Sequence, residues 1–243
     1  MNADCLSSKL SVADSALFVG DKAGQLNTSL LTETILVTIA SILVIKLIDE
    51  GSIISAAWFA VPAIWVSAAI IPTGIKGRKF PQIGFSIKQL KHTLLMLCWI
   101  CAVVFPAMFF GLWLLSSYGL ENPLRPVLPQ NQNWLTWIFY QFMYVAVAEE
   151  VFFRGYLQAN IQQLMNTAKW QNRWPKQWLT ISISAACFAA AHIIVQGQII
   201  SVLTFLPGLV YGWLFIRTRL LLAPILFHGL ANTCYFLMTA VFA

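Results

Sequence analysis

Charge is scarce in this sequence. Asp, Glu, Lys and Arg together supply 10% of its 243 residues, where a soluble domain carries about a quarter. With 59% apolar residues and a mean hydropathy of +0.74, water-soluble globules, disordered chains and collagen-like repeats are all excluded. Cysteine is thin and scattered. Cys5, Cys98, Cys101, Cys187 and Cys234 mostly fall inside apolar runs and offer no disulfide framework. Cys98 and Cys101 have redox spacing but lie within a lipid-span pattern, so thiol chemistry is not expected there. Residues 1–29 lack the basic stretch and short apolar core of a signal peptide, and this polar tail is expected to be retained on the cytoplasmic side. No H-E-x-x-H, no nucleophile-elbow sequence around Ser182 or Ser184, no internal repeat and no low-complexity tract is present.

What the chain has instead is long apolar runs, near 30–48, 53–72, 93–117, 134–157, 179–195, 198–216 and 220–242. Each is long enough for a helix across a hydrocarbon layer of about 30 Å. Only helices and closed barrels satisfy the backbone in lipid, and these runs are continuous rather than alternating, which selects helices. The expected fold class is therefore all-α, a polytopic membrane helix bundle of about seven transmembrane helices. The net charge of +6 and pI of about 9.2 are read as membrane topology rather than as nucleic-acid binding. With the N-terminus cytoplasmic, thirteen of the 15 Lys and Arg fall inside, leaving Lys46 and Arg125 outside. The positive-inside rule thus predicts N-in and C-out. The segment 73–92 mixes five basic residues with Ile75, Phe80, Ile83, Phe85, Ile87 and Leu90, which suits a stretch lying in the interface plane. Gly208 and Gly212 form a small-xxx-small pair that permits close helix approach, and Pro62, Pro106 and Pro207 fall within spans.

Against this background two adjacent carboxylates stand out. Glu149 and Glu150 follow the apolar stretch Phe142 to Ala148 and precede Phe152 and Phe153. An isolated carboxylate in hydrocarbon is costly, so the pair marks a protein-lined or wet cavity. Arg154, four residues beyond Glu150, is placed to pair with it on one helix face. A structural ion pair closing span four would account for these residues alone. The chain has three histidines, however, and two of them, His192 and His228, fall within spans five and seven. Phe188 precedes His192 by four residues and Asn232 follows His228 by four, which puts each pair on one face. At about 1.5 Å per residue, Glu149 and His228 lie about 12 Å below the cytoplasmic boundary, Asn232 about 18 Å and His192 about 20 Å.

A carboxylate that takes a proton from water, an imidazole that orients the water and a His with an Asn that donate to an oxyanion together suffice to hydrolyse an amide without a covalent nucleophile. Zinc is an alternative within the same set, since Glu149, His192 and His228 form a two-His, one-carboxylate ligand group with an open position. No cofactor is otherwise called for.

Glu149-Glu150-x-x-x-Arg154, then Phe188-x-x-x-His192, then His228-x-x-x-Asn232, in this order on separate spans, resemble the three motifs of the CAAX protease and bacteriocin-processing family, which includes the type II CAAX prenyl endopeptidases. Ile83-Gly84-Phe85 before span three is similar to that family's approach to its core. The resemblance covers residues 134–243 closely and 80–133 loosely, and implies a glutamate-dependent intramembrane protease. It makes Glu149 the general base, His192 its assistant, and His228 with Asn232 the oxyanion donors; Glu150, Arg154 and Phe188 are supporting residues. The implied substrate is a membrane-associated peptide or protein, such as a C-terminal tail, a sorting signal or a bacteriocin-type peptide, and the implied location is the plasma (inner) membrane. The domain organisation expected is a tail over 1–29, N-terminal membrane helices over 30–133 and a catalytic core over 134–243. The competing readings are a non-catalytic immunity or scaffold membrane protein and a proton-coupled transporter, the latter disfavoured by the lack of inverted repeats.

Overall fold

The computed structural model describes residues 27–50, 54–80, 87–120, 133–167 and 173–242. Residues 1–26 of the polar tail, with Cys5, and Ile83-Gly84-Phe85, Arg125 and residues 168–172 around Trp170 lie outside the described residues, while the last two residues assigned to the tail, Thr28 and Ser29, already open the first helix. Those described form helices and their connections, with no strand among them. In chain order they are α1 (Thr28–Glu50), α2 (Ile54–Ile75), α3 (Ile87–Ser117), α4 (134–167), α5 (Arg173–Gln196), a 3₁₀ turn (Ile199–Thr204) leading into α6 (Phe205–Thr218), and α7 (Leu222–Val241). Five stretches are long and apolar enough to cross a membrane: α1, most of α3, most of α5, the 3₁₀ turn with α6, and α7. The chain is a multi-pass helical membrane protein. In α2 the stretch Phe59–Ile75 is apolar as well.

Three buried hydroxyls of α1 are satisfied within the helix. In α1, Thr34 donates to Leu30 O, Thr38 to Thr34 O and Ser41 to Val37 O, each at 2.7 Å, so they cost little where water is absent. The interfacial stretch expected over 73–92 differs in part. Its first residues complete α2, Gly77 turns the chain at φ 62°, and α3 already begins at Ile87. Phe80 then drops onto α4, where a Cβ on Gly155 would lie 2.5 Å from its ring; only glycine leaves room for that crossing.

The centre of the bundle is α4. Helices α1, α2, α5, α6 and α7 all pack on it, while α3 lies outside against α7 and α6. Residues Val151 to Gln158 are buried on every side. Trp65 of α2 meets the rings of Phe152 at 4.5 Å and Phe153 at 5.0 Å, and Phe153 meets Phe188 of α5 edge-on at 5.0 Å. Polar ties show how the ends alternate. Thr34 of α1 accepts from Asn160 near the end of α4 at 3.2 Å, Glu33 pairs with Arg78 beyond α2, and Lys46 near the end of α1 donates to Val195 O of α5 at 3.3 Å. These ties bring the start of α1 to the ends of α2 and α4, and its end to that of α5, as alternating crossings require.

The small-xxx-small pair marks a true contact. Arg154 Nη2 donates to Gly208 O at 3.1 Å and Gln158 Nε2 to Gly212 O at 3.0 Å. Two side chains one turn apart on α4 thus reach two carbonyls one turn apart on α6, and the missing side chains expose those carbonyls. A Cβ on Gly208 would sit 3.2 Å from Ala185 Cβ and 3.3 Å from its Cα, both on α5. Gly208→Ala is expected to destabilise the fold by about 1–3 kcal/mol and to lower the thermal midpoint in detergent. Gly111→Ala, where nothing lies within 4 Å, should leave that midpoint unchanged.

Candidate active site

The two carboxylates sit in the four-residue α-helical piece Val147–Glu150, between two wide π-helical segments of α4, Gln141–Ala146 and Val151–Gln158. Adjacent residues on a helix diverge by about 100°, so Glu149 and Glu150 face different surroundings. π-helical turns recur at functional sites because they turn side chains out of the ordinary helical register.

Glu150 points into the protein. It is fully buried, as is Arg154, and their Oε2 and Nε lie 3.2 Å apart. This is a charge contact without an aligned hydrogen bond. Beyond its bond to Gly208 O, the guanidinium is enclosed by aromatic faces, 4.8 Å from the centroid of Phe188 and 5.1 Å from that of Tyr211. The other oxygen of Glu150, Oε1, meets His228 Nδ1 at 2.8 Å. Tyr211 stacks on the His228 ring at 4.6 Å with 13° between planes. His228 is therefore held at one edge by a carboxylate and across one face by a phenol ring.

Glu149 turns the other way and keeps some exposure, with 16% of its side chain accessible and 20% of His192's, so this pair borders the accessible side of the site. Its Oε2 lies 4.0 Å from His192 Nε2 and 3.9 Å from His228 Nε2, with no hydrogen-bond partner of its own. His192 Nδ1 meets Phe188 O at 3.0 Å. A carbonyl oxygen only accepts, so Nδ1 carries the proton and a neutral His192 presents a lone pair at Nε2. The same logic holds for His228, whose Nδ1–H donates to an ionised, Arg-paired Glu150. Two imidazole lone pairs and one carboxylate oxygen thus converge on one spot, three acceptors with no donor among them.

The positions of the expected site residues follow. Glu149, His192 and His228 are brought together, Glu150 pairs with Arg154 as expected, and Phe188 packs on the His192 ring at 4.4 Å. Helix α5 begins at Arg173, earlier than 179, so residue counting alone sets His192 deeper still, and its approach to Glu149 depends on how α5 crosses α4 rather than on where it begins. Asn232, one turn beyond His228, donates from Nδ2 to Gln141 Oε1 at 2.9 Å. Sequence reasoning missed Gln141, Tyr211, the Gly208 carbonyl and the Glu150–His228 bond. Gln141, a lone amide in an aromatic and apolar stretch, carried a readable signal; Tyr211, one aromatic among many, carried none.

A zinc ion would need closer ligands. Bonds of about 2 Å set the edge of a tetrahedral site near 3.3 Å, and both Glu149–imidazole separations exceed this. Among the described residues no group of three His, Cys, Asp or Glu is spaced to hold a metal ion.

The family model described as type II CAAX prenyl endopeptidase Rce1-like matches residues 131–234. This segment of the chain is similar to that family. The matched segment takes in every residue of the site, from Gln141 to Asn232, whereas α1, α2 and the Glu33–Arg78 pair fall before it. No curated protein and no solved structure matches the chain.

Proposed function

We propose that this protein is an intramembrane endopeptidase of the plasma membrane, N-in and C-out, in which Glu149 activates a water molecule to hydrolyse a peptide bond. Its substrate is a membrane-associated protein or peptide: a C-terminal tail, a sorting signal or a bacteriocin-type peptide. The observation that carries the reading is the convergence of three acceptors, Glu149 Oε2 and the two Nε2 atoms. Such a cluster calls for a donor, and water supplies two. Acceptors 3.9 and 4.0 Å apart suit one molecule at hydrogen-bond lengths of about 2.8 Å from each.

The steps follow from the geometry. Water donates to Glu149 Oε2 and His192 Nε2, which aims its free lone pair at the substrate carbonyl carbon. As the new C–O bond forms, the proton passes to Glu149. The oxyanion is met by the Asn232 amide and, once His228 Nε2 has taken a proton from solvent, by that Nε2–H, while its Nδ1–H stays on Glu150. Glu149 then returns its proton to the leaving nitrogen, the C–N bond breaks, and an amine and a carboxylic acid are released, the acid giving up its proton to solvent. Glu150 and Arg154 hold His228 in place without touching substrate. The competing immunity, scaffold and transporter readings need no such acceptor cluster.

The reading has a direct chemical test in the purified protein reconstituted in liposomes. Stringent chelation is expected to leave the rate of peptide cleavage unchanged. Loss of activity on chelation, restored by zinc, would replace water activation by Glu149 with a metal site built from Glu149, His192 and His228.

A further inference from the structure

Gln141 is an expensive residue for the place it occupies. From Trp137 to Ala148 it is the lone side chain that is neither apolar nor aromatic, and an amide without partners in such a setting costs free energy. Its Oε1 takes a hydrogen from Asn232 Nδ2, 91 residues away, at 2.9 Å. The backbone is shaped for this meeting on both sides. Gln141 opens the wide turn Gln141–Ala146 of α4. On α7, a Cβ on Gly229 would lie 2.5 Å from the ring of Phe142, so α7 crosses α4 at close range one residue from His228 and three from Asn232. The close crossing keeps the two amides within reach of each other.

An Asn amide turns about a broad terminal torsion and by itself offers a cleft either its nitrogen or its oxygen. An oxyanion is stabilised only by the nitrogen. An acceptor at Gln141 takes one N–H, turns Oδ1 away and leaves the second N–H of the same nitrogen for another acceptor. We infer that Gln141 is a positioning residue for Asn232, holding its amide so that a donor rather than an acceptor meets the developing oxyanion. This rests on the proposed role of Asn232 in the hydrolysis.

The test is steady-state cleavage of a membrane-inserted peptide by the full chain in liposomes, with wild type, Gln141→Met, Gln141→Glu, Asn232→Ala, Asn232→Asp and the double variant Gln141→Met/Asn232→Ala. Asn232→Ala should lower kcat about a hundredfold, the size of one lost oxyanion donor. Gln141→Met should lower kcat about tenfold, with KM within about twofold, since only transition-state stabilisation is affected. Gln141→Glu, which keeps an acceptor oxygen, should recover most of that loss. The double variant should be no slower than Asn232→Ala, because a residue acting through Asn232 has nothing left to act on. Asn232→Asp keeps a hydrogen bond to Gln141 and the thermal midpoint but presents an acceptor; it should lose about as much as Asn232→Ala, a result that stands even if Gln141→Met does not fold. Losses that multiply in the double variant, a rise in KM alone, no recovery in Gln141→Glu, or wild-type rates in Asn232→Asp would each overturn the inference. Full activity in Asn232→Ala would remove the oxyanion role of Asn232 and this inference with it, while an inactive Glu149→Gln would still leave water activation standing.

Discussion

Glu149→Gln is expected to abolish peptide cleavage, by about a thousandfold or more in kcat, while the protein inserts and folds as before. The size of the effect follows from the role. A neutral amide cannot take the proton of the attacking water, which removes the base of the mechanism; the imidazoles, held at Nδ1 by Phe188 O and Glu150, remain to orient the water. The silence on stability follows from the contacts. Glu149 Oε2 has no hydrogen-bond partner, its nearest ring nitrogens lie at 3.9 and 4.0 Å, and Gln has the same size. Cleavage of a reporter peptide measured beside the thermal midpoint in detergent separates the two. Full activity in Glu149→Gln would end the glutamate mechanism; a collapsed midpoint would assign the residue to the fold.

The second large effect belongs to the buried pair behind the site. Arg154→Ala leaves Glu150 charged, fully enclosed and without its partner, a situation that costs about 3–5 kcal/mol. It also empties the space between Phe188 and Tyr211 and strips Gly208 O of its donor. Arg154→Lys should not rescue the protein, because an ammonium has no planar face for the two rings. Replacing both members, as in Glu150→Leu/Arg154→Met, removes the charges together and should restore much of the stability. Activity should nevertheless stay lost, because His228 Nδ1 then has no carboxylate to hold it. A melt that recovers without any recovery of cleavage is the result expected. If cleavage returned with the melt, the Glu150–His228 bond would be irrelevant to the chemistry.

The all-helical, multi-pass character of the chain and the polar residues that meet in the bundle were legible in the sequence because both rest on rare events. A carboxylate pair, two imidazoles and an arginine stand out in spans that are otherwise apolar, and helical spacing of four already ties Glu150 to Arg154 and Phe188 to His192. Spacing says nothing across helices. That Glu150 would bond His228 across 78 residues depends on how α4 and α7 cross, and that crossing is set by the close fit of Gly229 on Phe142. The two π-helical segments were equally hidden, since the hydrophobic pattern of Gln141 to Gln158 reads as one straight helix. Their wide turns are held by lateral bonds, Gln141 to Asn232, Arg154 to Gly208 and Gln158 to Gly212, whose partners lie far along the chain. Gly208 and Gly212 were visible as a packing pair. Their use as exposed carbonyls reading Arg154 and Gln158 was not, because a missing side chain does not announce what its backbone will accept.

The central claim is that water attacks the peptide bond directly, with Glu149 as base and no acyl bond to the protein. Single-turnover cleavage in H₂¹⁸O, with excess purified protein over a membrane-inserted peptide and mass spectrometry of both products, tests it most directly. Direct attack places ¹⁸O in the new carboxyl terminus of the peptide on the first turnover and leaves the Glu149 carboxyl unlabelled. Label appearing in Glu149, with unlabelled oxygen in the first peptide product, would show the glutamate acting as nucleophile and contradict the mechanism.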